Sequence, residues 1–194
     1  MFIEKTLVLL KTDAVQRGIS GEIIHRFERA GLKIVGLKIV KPSHELAKKH
    51  YDASEEVLLR FGNNTLNDCK KFGIDLKANI GTESALEIGK IVWQWNVDFL
   101  KSGPVIALVL EGLHAIENVR MLCGTTIPFN AIPGSIRGDF SLDSAIGANV
   151  RKRTIYNLVH ASGNPKEAEA EIKMWFKADE LVGYKRTHED LYNY

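Results

Sequence analysis

Little in this chain suits it to disulfide cross-linking, secretion or life in a membrane. Only two cysteines, Cys69 and Cys123, occur in 194 residues; their spacing suits neither a disulfide framework nor a thiolate metal site, which fits a reducing compartment. The apolar run in MFIEKTLVLLK is too short for a signal-peptide core or a bilayer span, and Glu4 precedes it, so a soluble, cytoplasmic protein is expected. An excess of one charge is also missing. Lys plus Arg (26) nearly balances Asp plus Glu (24), so no global field draws the chain to nucleic acid, and an anionic partner must be held by a local cluster. Neither GxxxxGK[ST] nor GxGxxG occurs, which disfavours a P-loop or a Rossmann nucleotide site. What is present is a length that suits one domain with a real core.

The hydrophobic pattern supplies the elements. Residues 5–10 form an almost unbroken apolar run, as in a central strand covered on both sides, and Lys11 stands at its end. Ile19, Ile23, Ile24, Phe27 and Ala30 share one helical face over residues 18–30, with Gly31 suited to end that helix. Residues 32–40 alternate as a strand whose register changes near Val35 and Gly36, the mark of a bulge. Ser43 is placed to cap a helix running toward Tyr51. Residues 52–102 mix polar turns with helical stretches and predict helices within an exposed insertion. GPVIALVLEG is another strand, and residues 114–123 read as a helix. The Gly/Pro-rich segment 124–140 is longer than an ordinary connection, and such loops commonly carry function. A last strand is expected at residues 155–159 and a last helix at 165–176. Strands and helices in the order βαββαβ predict a ferredoxin-like α+β sandwich, an architecture that by itself implies no activity.

Two constellations carry chemistry. In the closing helix, Asn164, Pro165 and Glu167 supply an N-cap, a proline at the first position and a carboxylate at the third. Ala168, Ile172 and Trp175 form its apolar stripe, with Glu171 on the border. Glu171 is then either a solvated half-exposed carboxylate or the partner of His160, which ends the strand feeding this helix. Equally, His160 is either a structural imidazole or a nucleophile oriented by that carboxylate. The second constellation is cationic. Lys11, Arg120 and Arg137, singly ordinary surface charges, would converge with the hydroxyl of Thr126 if one sheet edge held a phosphate, and phosphoryl transfer needs little beyond such positioning and charge neutralisation.

The stretches KTDAVQRGISGEII, HY at 50–51, SGPVIALVLEG, VRMLCGTTIP, PGSIRGDF and NLVHAS followed by EAEAEI resemble, in order, the motifs of the nucleoside diphosphate kinases. The resemblance implies a ferredoxin-like core that moves the γ-phosphoryl of a nucleoside triphosphate such as ATP to a nucleoside diphosphate. The family does so by a ping-pong cycle through a phosphohistidine, with Mg²⁺ held mainly by nucleotide phosphates and no metal site made by the protein. By the same resemblance His160 is the phosphorylated residue, Glu171 orients it, and Ser162 is the small hydroxyl residue two positions on. Asn157 contacts the sugar, Lys11 phosphate and ribose, and Tyr51 lies at the catalytic centre. Arg120, Thr126 and Arg137 bind phosphates. A homo-oligomer, a hexamer or a tetramer of dimers, is implied too, with neither membrane nor nucleic acid as primary partner. An alternative is a family member impaired in catalysis and kept as a nucleotide-binding or regulatory subunit.

The chain is expected to be a single domain of this family that departs from its pattern at Thr12, Ala161, Gly163 and GTTIP, and by insertions at about residues 52–99 and 141–154. The residue that stacks on the nucleobase is displaced by the first insertion. Counting back from SGP reaches Val92 with Trp93 beside it; counting forward from Tyr51 reaches residues 59–61, ending at Phe61. A flat apolar face is all that such stacking requires, so either Trp93 or Phe61 would serve. The alternative, and the favoured reading, is that Trp93 and Trp95 are core or subunit contacts. Arg151, Lys152 and Arg153 in the second insertion are expected at a solvated loop tip.

Overall fold

A computed structural model describes residues 3–187 and 189. The chain order is β1 (Ile3–Leu10), α1 (Thr12–Gln16), α2 (Ser20–Arg29), β2 (Lys33–Val40), α3 (His44–His50), α4 (Glu55–Lys71), α5 (Leu76–Ile80) and α6 (Ala85–Lys101). There follow β3 (Val105–Leu113), α7 (Ala115–Cys123), α8 (Ile136–Phe140), α9 (Ala145–Val150), β4 (Val159–Ala161) and α10 (Pro165–Trp175). The strands form one antiparallel sheet in the order β2-β3-β1-β4, the ferredoxin-like arrangement expected.

The apolar run in β1 is buried because both faces of the sheet are covered. Val8 and Leu10 point toward Ile23 and Phe27 of α2 and Val119 of α7, whereas Leu7 and Leu9 pack with Ala47 of α3, Val97 and Leu100 of α6 and Trp175 of α10. The pleat alternates these two sets, and each needs its own helical layer. The bulge falls where expected: β2 slips against β3 between Ile34 and Gly36, and the carbonyl of Val35 accepts from the Val182 amide of the C-terminal segment at 2.7 Å. Ser43 caps α3 through its hydroxyl, and Asn164 caps α10, whose first position is Pro165.

The last strand required correction. Residues 155–158 make no ladder with β1, and pairing covers only Val159–Ala161, which places His160 inside the strand. The cause lies in the preceding residues. Leu158 has φ +67°, its carbonyl accepts from the Lys11 amide, and Asp13 takes its N–H, so the chain enters the sheet only after that turn.

The segment after Tyr51 is a compact helical unit. α4 and α6 approach so closely that a Cβ on Gly62 would lie 1.7 Å from the Ala85 carbonyl oxygen, and one on Gly89 would lie 1.9 Å from that of Leu58. Cys69, Leu76 and Ile88 form a small core of their own beneath this pair, joined by Ile146 of α9. Arg153 also departs from the loop-tip expectation. It makes a bidentate pair with Asp143 at 2.6 and 3.0 Å and lies 4.1 Å over the Tyr156 ring, fastening the chain just before the histidine strand. Among the described residues no helix is long and apolar enough to cross a membrane.

Candidate active site

β4 pairs with the C-terminal half of β1 in a register that sets His160 opposite Leu9. Side chains directly opposite in an antiparallel pair share a face, so the imidazole projects to the side covered by α3 and α10. Glu171, three residues after Ala168 on α10, reaches it there: its Oε1 accepts from His160 Nε2 at 2.8 Å, while its Oε2 accepts from the Ser162 hydroxyl at 2.6 Å. The open choice between a solvated glutamate and a histidine partner is settled geometrically, because Glu171 is only 5% exposed and both of its oxygens are engaged. Burial raises its pKa.

His50, at the end of α3, completes the cluster, although nothing in the sequence reading assigned it a role. Its ring lies 4.3 Å from that of His160, edge to face, and its Nδ1 accepts from the Trp175 indole N–H at 3.3 Å. The local signal was its place beside Tyr51 at the end of an amphipathic helix. Tyr51 itself lines the same cleft, with a buried hydroxyl that has no hydrogen-bond partner among the described residues.

The predicted cations converge on this edge. Lys11 is 6% exposed and donates to Asn157 Oδ1 at 2.8 Å; the Asn157 amide donates in turn to the Thr126 carbonyl at 2.9 Å. Arg137 is buried and held by three carbonyls, those of Asn157 (3.1 Å), Gly124 and Val159 (2.7 Å), so its guanidinium also braces the turn that delivers His160. Arg120, on α7, is exposed, as is Thr126. Lys11, Tyr51, Arg120, Thr126, Arg137, Asn157 and His160 all line one cleft of about 790 Å³. Ser162 and Glu171 stand behind it.

The electrostatics follow from this geometry. Burial, aided by Lys11, Arg137 and Arg120, lowers the His160 pKa to about 3, so the imidazole is neutral at physiological pH. With Nε2–H committed to Glu171, the lone pair is on Nδ1. Burial also brings the Lys11 ammonium down to about 8, with Asp13 opposing and Arg137 reinforcing that shift. A neutral imidazole among cations is suited to attack on an anionic phosphoryl group.

Beyond the cations, the cleft runs between α4 and the segment after α9. Phe61 and Val92 line it, and the Thr154 hydroxyl on the opposite wall donates to Asn96 Oδ1. Trp93 is not part of that wall. It packs with the core beneath β1, and its indole N–H donates to the Tyr51 carbonyl at 3.0 Å. Of its two readings, stacking on a base or packing in the core, the geometry matches the second, and Trp93 secures the loop that carries Tyr51. The 17-residue helix α4 brings Phe61 into the cleft, a placement that depends on how α4 packs against α6.

Comparison with known proteins agrees with this geometry. The family model described as nucleoside diphosphate kinase matches residues 4–65 and 85–181, leaving out 66–84. A nucleoside diphosphate kinase of Pyrobaculum aerophilum is 50% identical over 182 residues, covering 94% of this chain and all of the relative. One from Borreliella burgdorferi is 39% identical, covering 97% of this chain and 96% of the relative. A crystal structure of an NDP kinase from P. aerophilum superposes with a TM-score of 0.90 at 48% identity, covering 93% of this chain and 100% of that one. A transition-state mimic of the B. burgdorferi enzyme with bound vanadate and ADP gives 0.80 at 39% identity, covering 97% and 96%. The cations gathered with His160 along one cleft agree with the near-complete match in sequence and structure, which leads to one conclusion: this chain belongs to the nucleoside diphosphate kinase family.

Proposed function

We propose that His160 Nδ1 is the atom through which this nucleoside diphosphate kinase passes a phosphoryl group from one nucleotide to another. The observation that carries this reading is the 2.8 Å bond from His160 Nε2 to Glu171, which leaves Nδ1 as the free nitrogen of a neutral ring lining the cleft. In the first half-reaction the Nδ1 lone pair forms a bond to the γ-phosphorus. The bond from that phosphorus to the bridging oxygen breaks, and the diphosphate leaves with the electron pair. Positive charge that develops on the ring is stabilised by Glu171 through the retained Nε2–H, and Ser162 holds the second carboxylate oxygen in place. In the second half-reaction the terminal oxygen of another nucleoside diphosphate displaces the histidine from phosphorus. Lys11, Arg120, Arg137 and the Thr126 hydroxyl neutralise and orient the phosphates throughout.

Asn157 and Lys11 are placed for the sugar, and Phe61 for the base. With stacking worth about 1–3 kcal/mol per base, Phe61→Ala should raise the nucleotide KM roughly tenfold while the rate of phosphoenzyme formation at saturation changes little. Trp93→Phe, outside the cleft wall, should not produce that pattern in the same steady-state assay.

The phosphate end is lined by cations, and the Glu167 carboxylate in the same cleft accepts from the Gly163 amide at 2.9 Å. This fits Mg²⁺ carried on phosphate oxygens and water, where it supplies further charge neutralisation. The reading includes a homo-oligomer in the cytoplasm. Leu37 and Ile39 on the β2 edge are 54% and 65% exposed, and Phe129, Ile132 and Leu142 are exposed around the cleft loop, as surfaces that meet another copy would be. The reading also takes the chain as a single domain, with the stretches at about residues 52–99 and 141–154 as insertions within it.

The pH dependence tests the nucleophile. An imidazole with the ordinary pKa would lose its free lone pair as pH falls through about 6.5. With the His160 pKa at about 3, labelling by saturating MgATP should stay nearly flat from pH 7.5 to 5.5. On the alkaline side, Lys11 loses its proton above pH of about 8, and labelling should decline there. Lys11→Arg should move that decline upward. An acid limb centred near 6.5 would refute the neutral, cation-flanked imidazole.

A further inference from the structure

The half of the cleft remote from His160 is not merely an apolar slot. On α4, Phe61, Asn64, Thr65 and Asp68 stand at the spacing i, i+3, i+4, i+7, which puts them on one face, and all four line the cleft. Asn149 of α9, only 6% exposed, lines it from the other side. A stacking platform therefore leads along the helix to carboxamides and ends at a carboxylate. No ion pair among the described residues involves the side chain of Asp68, although it is half-buried. Asp68 also falls within residues 66–84, the part of the chain that the family model does not match.

Building on the nucleotide site proposed above, we infer that Asp68 reads the hydrogen-bonding edge of the nucleobase and makes this enzyme discriminate in favour of guanine nucleotides. Seven residues of helix advance about 10.5 Å from Phe61 to Asp68. That span is close to a purine laid lengthwise over the phenyl ring plus one hydrogen bond of about 2.8 Å, and a pyrimidine falls short of it. A carboxylate only accepts hydrogen bonds. Guanine offers it two adjacent donors, N1–H and the exocyclic amino group, in the geometry of a bidentate charge-assisted pair. Adenine presents one donor and an unprotonated N1 whose lone pair faces the carboxylate. Asn64, one turn beyond Phe61 on the same face, lines the cleft and offers an amide donor that suits the guanine carbonyl oxygen, which adenine replaces with an amino group.

The test is the ratio of kcat/KM for GDP to that for IDP, which lacks only the exocyclic amino group, measured with ATP as donor on the purified full chain. A ratio of about tenfold in the wild type, falling toward one in both Asp68→Ala and Asp68→Asn, is expected. A wild-type ratio near one, or a preference that persists undiminished in Asp68→Ala, would overturn base reading by this residue. Dissociation constants for GDP and IDP, taken by calorimetry on the same proteins, separate this inference from the phosphotransfer reading. Selective GDP binding that depends on Asp68 in a protein that never turns over would reject phosphotransfer and retain base recognition; turnover with equal GDP and IDP affinity would do the reverse.

Discussion

His160→Ala should incorporate no acid-labile phosphate from γ-labelled ATP and should lose about 10⁴-fold or more in transfer to GDP, because no other group can form the covalent intermediate. His50 is the nearest imidazole, 4.3 Å from ring to ring, but its Nδ1 accepts from Trp175, its side chain is buried, and burial keeps its pKa well below the ordinary value. It lacks a route to the phosphate. The substitution should leave the fold standing, since an alanine in β4 keeps the ladder to Leu9 and removes a side chain whose contacts are to Glu171 and His50. Circular dichroism and quench-flow labelling together check the two halves of this expectation. Nucleotide affinity should persist in the variant, as Lys11, Arg120 and Arg137 remain in place. Retained labelling at wild-type rate would refute the assignment of the nucleophile.

The second large effect is expected at Arg137. Its guanidinium donates to the carbonyls of Gly124, Asn157 and Val159 and lines the cleft beside Lys11, Arg120 and His160, so one side chain both organises the site and supplies charge to it. Arg137→Ala strands buried carbonyls on the turn before β4 and should cost about 3 kcal/mol in urea unfolding. It should also lower kcat/KM by about 10²–10³-fold through the loss of a preorganised cation. Arg137→Lys keeps the charge but cannot serve three carbonyls at once, so it should recover part of the activity and little of the stability. A kcat/KM for Arg137→Ala within about threefold of wild type would show that the guanidinium is scaffolding alone.

The legibility of this chain varied with the range of the interactions involved. The cap and proline that start α10 were readable because capping is satisfied within four residues, and the same helix face placed Glu171 correctly on the buried border. The bulge in β2 was readable from a change of register within a single strand. β4 was less so. Its pairing begins late because Asp13, Lys11 and Arg137, all distant in sequence, bind the backbone of residues 157–159 and impose the turn at Leu158. Trp93 and Phe61 show the same limit. Both are aromatic residues on predicted helices, and periodicity alone does not say which side chains of two adjacent helices turn toward the cleft and which toward the core. Arg153 looked like one more solvated cation until Asp143, ten residues earlier, was found beside it.

By itself the sequence determined the β1 core strand, the helix boundaries set by local caps and the ferredoxin-like order of elements, and it singled out His160, Glu171, Lys11, Arg120 and Arg137, which the fold gathers at and behind one cleft. Those features depend on local periodicity and on ordered motifs along the chain. Only the tertiary structure decided that Glu171 holds Nε2 of His160 and leaves Nδ1, that His50 and Trp175 close the space behind it, and that Phe61 instead of Trp93 lines the cleft. The physical reason is that each of these depends on a contact between elements whose relative orientation is set by packing against the two faces of the sheet, notably the close approach of α4 and α6 at Gly62 and Gly89.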